Sequence, residues 1–195
     1  GESLEALFAH VPGLKVVSPS DPGQAYTLLL QAVRSDDPVV YMEPKARYWD
    51  RQTVTLAEPT DPVGTSRVVR PGRHATLIAW GAMVHRCLQV AELAAEDGVE
   101  LEVVDLRWLK PIDTAGLADS VSRTRRAVVV HEAPLTAGLG AEVATLVTEN
   151  CFRDLAAPVQ RVTGFDVPYP AGPLEPQYLP TVDRVLLAVQ RTLEY

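Results

Sequence analysis

The chain has 195 residues, 47% of them hydrophobic and 22% charged, with a formal net charge of −7. That is enough apolar material for a core, and an acidic balance with no basic stripe argues against nucleic-acid binding. No apolar run approaches the roughly 18–20 residues of a membrane span, and no signal peptide is read at the start.

The opening Gly1-Glu2-Ser3-Leu4 begins almost inside a helix, which suggests an excised piece of a longer protein. Ser3 is placed to cap a short helix running to His10 and stopped by Pro12-Gly13. Lys15-Val16-Val17 reads as a strand. Asp21-Pro22 is an N-cap followed by proline at the first helical position. That helix runs to about Arg34, with Tyr26, Leu29, Leu30 and Val33 as its inward face. A second strand over Pro38–Met42 completes a strand–helix–strand unit, and such units usually pair in parallel.

Residues 57–74 are rich in breakers and read as a linker. Beyond it, strands over 75–80, 101–106, 127–131 and 158–162 alternate with helices over 81–96, 114–122 and 138–151, and a final helix carries Val182, Leu186, Val189 and Leu193. The pattern predicts an α/β protein with a mostly parallel open sheet. Residues 75–195 suffice for a domain, and residues 1–56 look like the tail of a larger one.

The search for chemistry returns little. Neither Cys87 nor Cys151 has a CxxC partner, and both read as buried, reduced thiols of a cytoplasmic protein. Gly138 and Gly140 follow a strand and open a helix, which leaves two readings: amides open to an anion, or tight helix–sheet packing. The dinucleotide fingerprint's third glycine is missing. His131-Glu132 ends a strand where open α/β sheets bind ligands, but neighbours on a strand point apart and cannot easily share a metal. A structural or interface role is the expectation. His85 reads as exposed, and nothing recommends His10 or His74. Arg123, Arg125 and Arg126 read as a solvated helix end. Asp105, Arg107, Trp108 and Lys110-Pro111 read as a charged turn, with ion pairing inside it or a partner surface as the alternatives.

Several stretches, in order, carry a family resemblance. They include Phe8–Val17, Asp37–Val40 with Glu43-Pro44-Lys45, Ala79-Trp80-Gly81, Val104–Arg107, His131–Thr136, Glu149–Phe152, Arg161–Pro170 and Glu175–Tyr178. Together they resemble the beta subunit of the thiamine-dependent decarboxylating component of 2-oxo acid dehydrogenase complexes. The His131–Thr136 and Glu149–Phe152 runs are most similar to the branched-chain enzymes. The resemblance implies a transketolase C-terminal type fold over 75–195, preceded by the remnant of a pyrimidine-binding domain over 1–56. It implies thiamine diphosphate and magnesium in the parent heterotetramer, with an alpha subunit, a second beta subunit and a dihydrolipoyl acyltransferase core as partners. It places the family's catalytic histidine just ahead of Ser3, where only Gly1 and Glu2 stand, so this chain alone is expected to be inactive. His10 is a different position. One family site falls inside the chain, a potassium ion at the turn after the long helix, with Ala32, Val33, Ser35 and Asp37 in the matching positions. The competing readings are a pyruvate dehydrogenase beta subunit, a free-standing α/β interaction module, and a nucleotide-binding domain using Gly138 and Gly140.

Overall fold

The computed structural model describes residues 2–170 and 172–195. Two sheets share one molecule. The larger has five strands in the order β3-β5-β4-β7-β8: β3 (Arg67–Arg70), β4 (Ala75–Ala79), β5 (Leu101–Asp105), β7 (Ala127–Pro134) and β8 (Gln160–Gly164). β4 pairs in parallel with both β5 and β7, and β7 with β8. β3 runs antiparallel along the β5 edge. The sheet is therefore mixed, and the expected linker contributes one of its strands.

The central strands are mostly apolar because both faces are covered, with Thr76, Glu102, Asp105 and His131 as buried polar exceptions. On one face Leu77, Val103, Val128 and Val130 meet α3 (Ala82–Glu96) and α7 (Val182–Leu193). On the other, Ile78, Val104 and Val129 meet α4 (Thr114–Thr124) and α5 (Leu139–Cys151). Met83, Val84, Cys87, Val90, Ala91 and Ala94 form the buried stripe of α3, and Ala95 is exposed. α7 buries Val185, Ala188, Val189 and Thr192. Of its four expected inward residues only Val189 is fully buried; Val182, Leu186 and Leu193 pack at the margin of the core. Asp113 caps α4 through the Gly116 amide at 2.9 Å. A short helix, α6 (Glu175–Tyr178), precedes α7.

The smaller sheet has the order β2-β1-β6. β1 (Lys15–Val17) and β2 (Val39–Tyr41) are parallel and linked by α2 (Pro22–Val33), as the strand–helix–strand pattern predicts. Asp21 caps α2 by accepting the Gln24 amide proton at 2.9 Å. β6 (Trp108–Lys110) runs antiparallel to β1. The expected charged turn is thus a strand that carries the end of β5 into the small sheet. Trp108 is fully buried between Val17 and Leu28, which removes it from any partner surface.

Two other expectations change. α1 (Glu5–Ala9) has Leu4, not Ser3, at its N-cap, and the Ser3 hydroxyl reaches toward Glu132 at 3.4 Å. α2 buries Gln24, Leu28 and Gln31, whereas Leu29 and Val33 face outward, Val33 with 76% exposure. Its inward side is polar because it lies over a polar junction.

Candidate functional site

That junction is built on Asp105. Its carboxylate is fully buried at the end of β5. One oxygen accepts from the Ser20 hydroxyl at 2.6 Å and the Gln24 amide at 2.8 Å, and the other from the Arg107 backbone N–H at 3.0 Å. Burial pushes its pKa up to about 6, against the pull of those donors and of the Arg107 charge. The Arg107 guanidinium points away, to Asp61 at 2.7 Å and the carbonyls of Thr65 and Ser66. Gln31 donates to the Asp61 carbonyl at 2.5 Å. One knot thus joins α2, the 57–74 segment and the large sheet.

A second cluster surrounds His131. The imidazole is fully buried and stacks on the Trp80 indole, with centroids 5.2 Å apart. Neither ring nitrogen has a hydrogen-bond partner among the described residues. Burial, and then the charge of Arg161, lowers its pKa to about 4, so the ring is neutral near pH 7. The first turn of α5 lies on this ring. A Cβ added at Gly138 would sit 2.8 Å from its Cε1, and one at Gly140 would overlap it. Tight helix–sheet packing therefore explains both glycines. Gly140→Ala should destabilise the fold by about 1–3 kcal/mol through overpacking. Urea unfolding of the single variant and of the Gly140→Ala/His131→Ala pair checks this; the pair should recover part of the loss.

Glu132 diverges from His131 and lines a cleft of about 410 Å³ between the two sheets, together with Glu5, Glu43, Lys45, Trp80 and Glu175. The Trp80 indole N–H donates to Glu5 at 3.2 Å. Burial raises the pKa of both Glu5 and Glu132. This acidic lining has the wrong sign for a diphosphate. This cleft therefore does not fit the phosphate end of thiamine diphosphate, and the described residues contain no group of three or more His, Cys, Asp or Glu side chains placed to hold a metal.

The four positions expected to hold potassium do come together at the end of α2. Their side-chain oxygens, however, serve a cation from the chain itself. The Lys15 ammonium bonds Ser35 Oγ at 3.0 Å and Asp37 at 2.9 Å, and the Ala32 carbonyl accepts the Ser35 N–H at 3.2 Å. The carbonyls of Ala32 and Val33 can enter a potassium shell only with further oxygen ligands from outside these residues.

The remaining residues fall into place. Cys87 and Cys151 are buried and free. His10 and His85 are exposed, and His74 accepts the Glu100 amide proton. The three arginines expected at a solvated helix end are each engaged: Arg123 with Asp119 and the buried Glu102, Arg125 with the Asp154 carbonyl, Arg126 with the Thr192 carbonyl. Sequence reasoning missed Ser20, Gln24 and Glu102 altogether; only Arg123, four residues after Asp119, offered a local signal.

Residues 64–185 match the transketolase C-terminal domain family, and residues 1–49 match the transketolase pyrimidine binding domain family. The chain belongs to the transketolase C-terminal domain family. Its relatives include a protein of Leifsonia xyli named pyruvate dehydrogenase E1 component subunit beta. That relative is 50% identical over 194 residues, covering 100% of this chain and 58% of the relative. A protein of Mycobacterium tuberculosis named 3-methyl-2-oxobutanoate dehydrogenase subunit beta is 45% identical, covering 98% and 56%. A mitochondrial 2-oxoisovalerate dehydrogenase subunit beta 2 of Arabidopsis thaliana is 42% identical, covering 100% and 54%. The chain thus spans little more than half the length of these relatives. Among solved structures, a split gene transketolase described as an inactive beta4 tetramer superposes with a TM-score of 0.75 at 28% identity, over 97% of this chain and 60% of that one.

Proposed function

We propose that this chain is part of the beta subunit of a 2-oxo acid dehydrogenase, the component that decarboxylates the oxo acid with thiamine diphosphate. The observation that carries this reading is alignment over nearly the whole chain, at 42–50% identity, with proteins bearing such names. In it, residues 1–56 belong to the pyrimidine-binding unit, 57–74 connect, and 75–195 form the C-terminal domain. Thiamine diphosphate would supply the carbanion chemistry, with Mg and any potassium completed by residues outside this chain. The partners are an alpha subunit, a second beta subunit and a dihydrolipoyl acyltransferase core. The two buried, unpaired thiols suit a reducing cytoplasm.

The preferred substrates are branched-chain 2-oxo acids, on the motifs His131–Thr136 and Glu149–Phe152. A pyruvate enzyme is the second reading, favoured by the 50% identity to the Leifsonia xyli protein. A full-length subunit reconstituted with its alpha subunit should turn over 3-methyl-2-oxobutanoate with a higher kcat/KM than pyruvate; the reverse order supports the second reading. The 195-residue chain alone, given thiamine diphosphate and magnesium, should release no carbon dioxide above a protein-free blank. Turnover by the isolated chain would sink its assignment as an incomplete subunit.

A further inference from the structure

Five glutamates line the cleft of about 410 Å³ between the two sheets: Glu2, Glu5, Glu43, Glu132 and Glu175. Lys45 is the single basic side chain lining it among the described residues, and no ion pair joins Lys45 to any of the five. Glu43 accepts from the Tyr48 hydroxyl at 2.6 Å. The two deep carboxylates are less well served.

Glu5 is only 3% exposed. One of its oxygens accepts the Trp80 indole N–H at 3.2 Å. The other has no hydrogen-bond partner among the described residues, and the side chain lines the cleft. Glu132 has only the Ser3 hydroxyl, at 3.4 Å. Burial raises the pKa of both, and the neighbouring Glu5 charge raises that of Glu132 further. A carboxylate held this deep is costly unless a cation faces it. The described residues bring none to either.

The shape of the site selects the kind of cation. No group of three or more acidic, His or Cys side chains converges as a metal ion requires among the described residues. The charge is spread along the cleft, which suits an extended cation. A guanidinium is planar, weakly hydrated and carries five donors in a rigid fork, so it can serve two separate carboxylates and lie against aromatic rings. Trp80 and Tyr169 line the same space. Free arginine would bring its own carboxylate into this acidic lining, whereas an arginine within a polypeptide brings a neutral backbone.

We infer that the cleft receives an arginine side chain of a partner subunit, with its guanidinium between Glu5 and Glu132 and beside Trp80 and Tyr169. The inference rests on the reading of the chain as part of a multisubunit dehydrogenase.

The recognition chemistry is tested first on this chain. Nα-acetyl-L-arginine amide is titrated while NMR follows the Trp80 indole N–H. The signal should move and saturate, and uncharged Nα-acetyl-L-norleucine amide should not move it. Glu5→Gln/Glu132→Gln should weaken binding roughly tenfold, the loss of charge-assisted hydrogen bonds. Its melting temperature should not fall, because each glutamine keeps an oxygen for its donor. Glu149→Gln, on the exposed side of α5, should change nothing. The partner is tested with the full-length subunit, whose affinity for its alpha subunit should drop roughly tenfold in the same double variant. No saturable shift, or equal binding of the probe by the double variant, would overturn the site. Probe binding with unchanged affinity for the alpha subunit would overturn the partner assignment in favour of a free organic cation. A full-length native subunit that captures no alpha subunit would count against the functional reading, while the titration on this chain reads the cleft independently.

Discussion

Trp108→Ala should destabilise the chain by about 3–5 kcal/mol, the largest effect expected of any single truncation here. The indole is fully buried and packs with Val17 of β1 and Leu28 of α2, while its own strand continues from the end of β5. Removing it leaves a cavity at the one place where the C-terminal domain contributes a strand to the small sheet. The loss should therefore be uneven. Hydrogen exchange at Val16, Val17 and Val40 should accelerate far more than at Val128 or Val129, which lie deep in the large sheet. Trp49, 91% exposed, is the control: Trp49→Ala should change stability by no more than about 0.5 kcal/mol. Denaturant unfolding of the two variants decides the matter, and equal effects would show that Trp108 does not couple the two sheets.

The same residue shows where sequence patterning reaches its limit. Strands β4, β5 and β7 are rich in Val, Leu, Ile and Ala, and they are legible because that information is local. β6 is not. Arg107-Trp108-Leu109-Lys110 looks like a charged turn until β1, some 90 residues earlier, supplies its pairing partner. β3 hides in the same way inside a stretch of breakers. α2 misleads for a different reason. Counting apolar residues assigns Leu29 and Val33 to its inward face, yet the helix turns Gln24 and Gln31 inward to meet Asp105 and Asp61. A helix over a polar junction inverts the usual inference from periodicity. At Gly138 and Gly140 the close packing that requires glycine comes from the His131 ring, whose position the sequence does not show.

Asp105 and His131 should oppose one another in the dependence of stability on pH. Folded Asp105 keeps its proton up to about pH 6, whereas an unfolded aspartate releases it near 3.8. Between those values the folded state binds more protons, so this group's contribution rises as pH falls from about 6 to about 4. His131 does the reverse. Its folded pKa is about 4 against 6.5 unfolded, so the unfolded state gains a proton first and stability falls over nearly the same range. Each shift is roughly 2 units, or about 3 kcal/mol, and the two largely cancel in the native protein. Single variants should separate them. Asp105→Asn leaves the histidine slope exposed, so its unfolding free energy should fall by about 3 kcal/mol more than the native protein's between about pH 7 and pH 4. At pH 7 the same variant should be no less stable than the native chain, because it removes a buried charge and the unpaired Gln24 Oε1 can turn to accept from the new amide. His131→Leu should show the opposite trend, gaining stability as pH falls. Glu5 and Glu132, whose pKa values burial also raises, lean the same way as Asp105 and form a background common to both variants. Urea unfolding at several pH values measures all three slopes. Parallel curves for the native protein and both variants would mean that neither buried group titrates differently in the folded state.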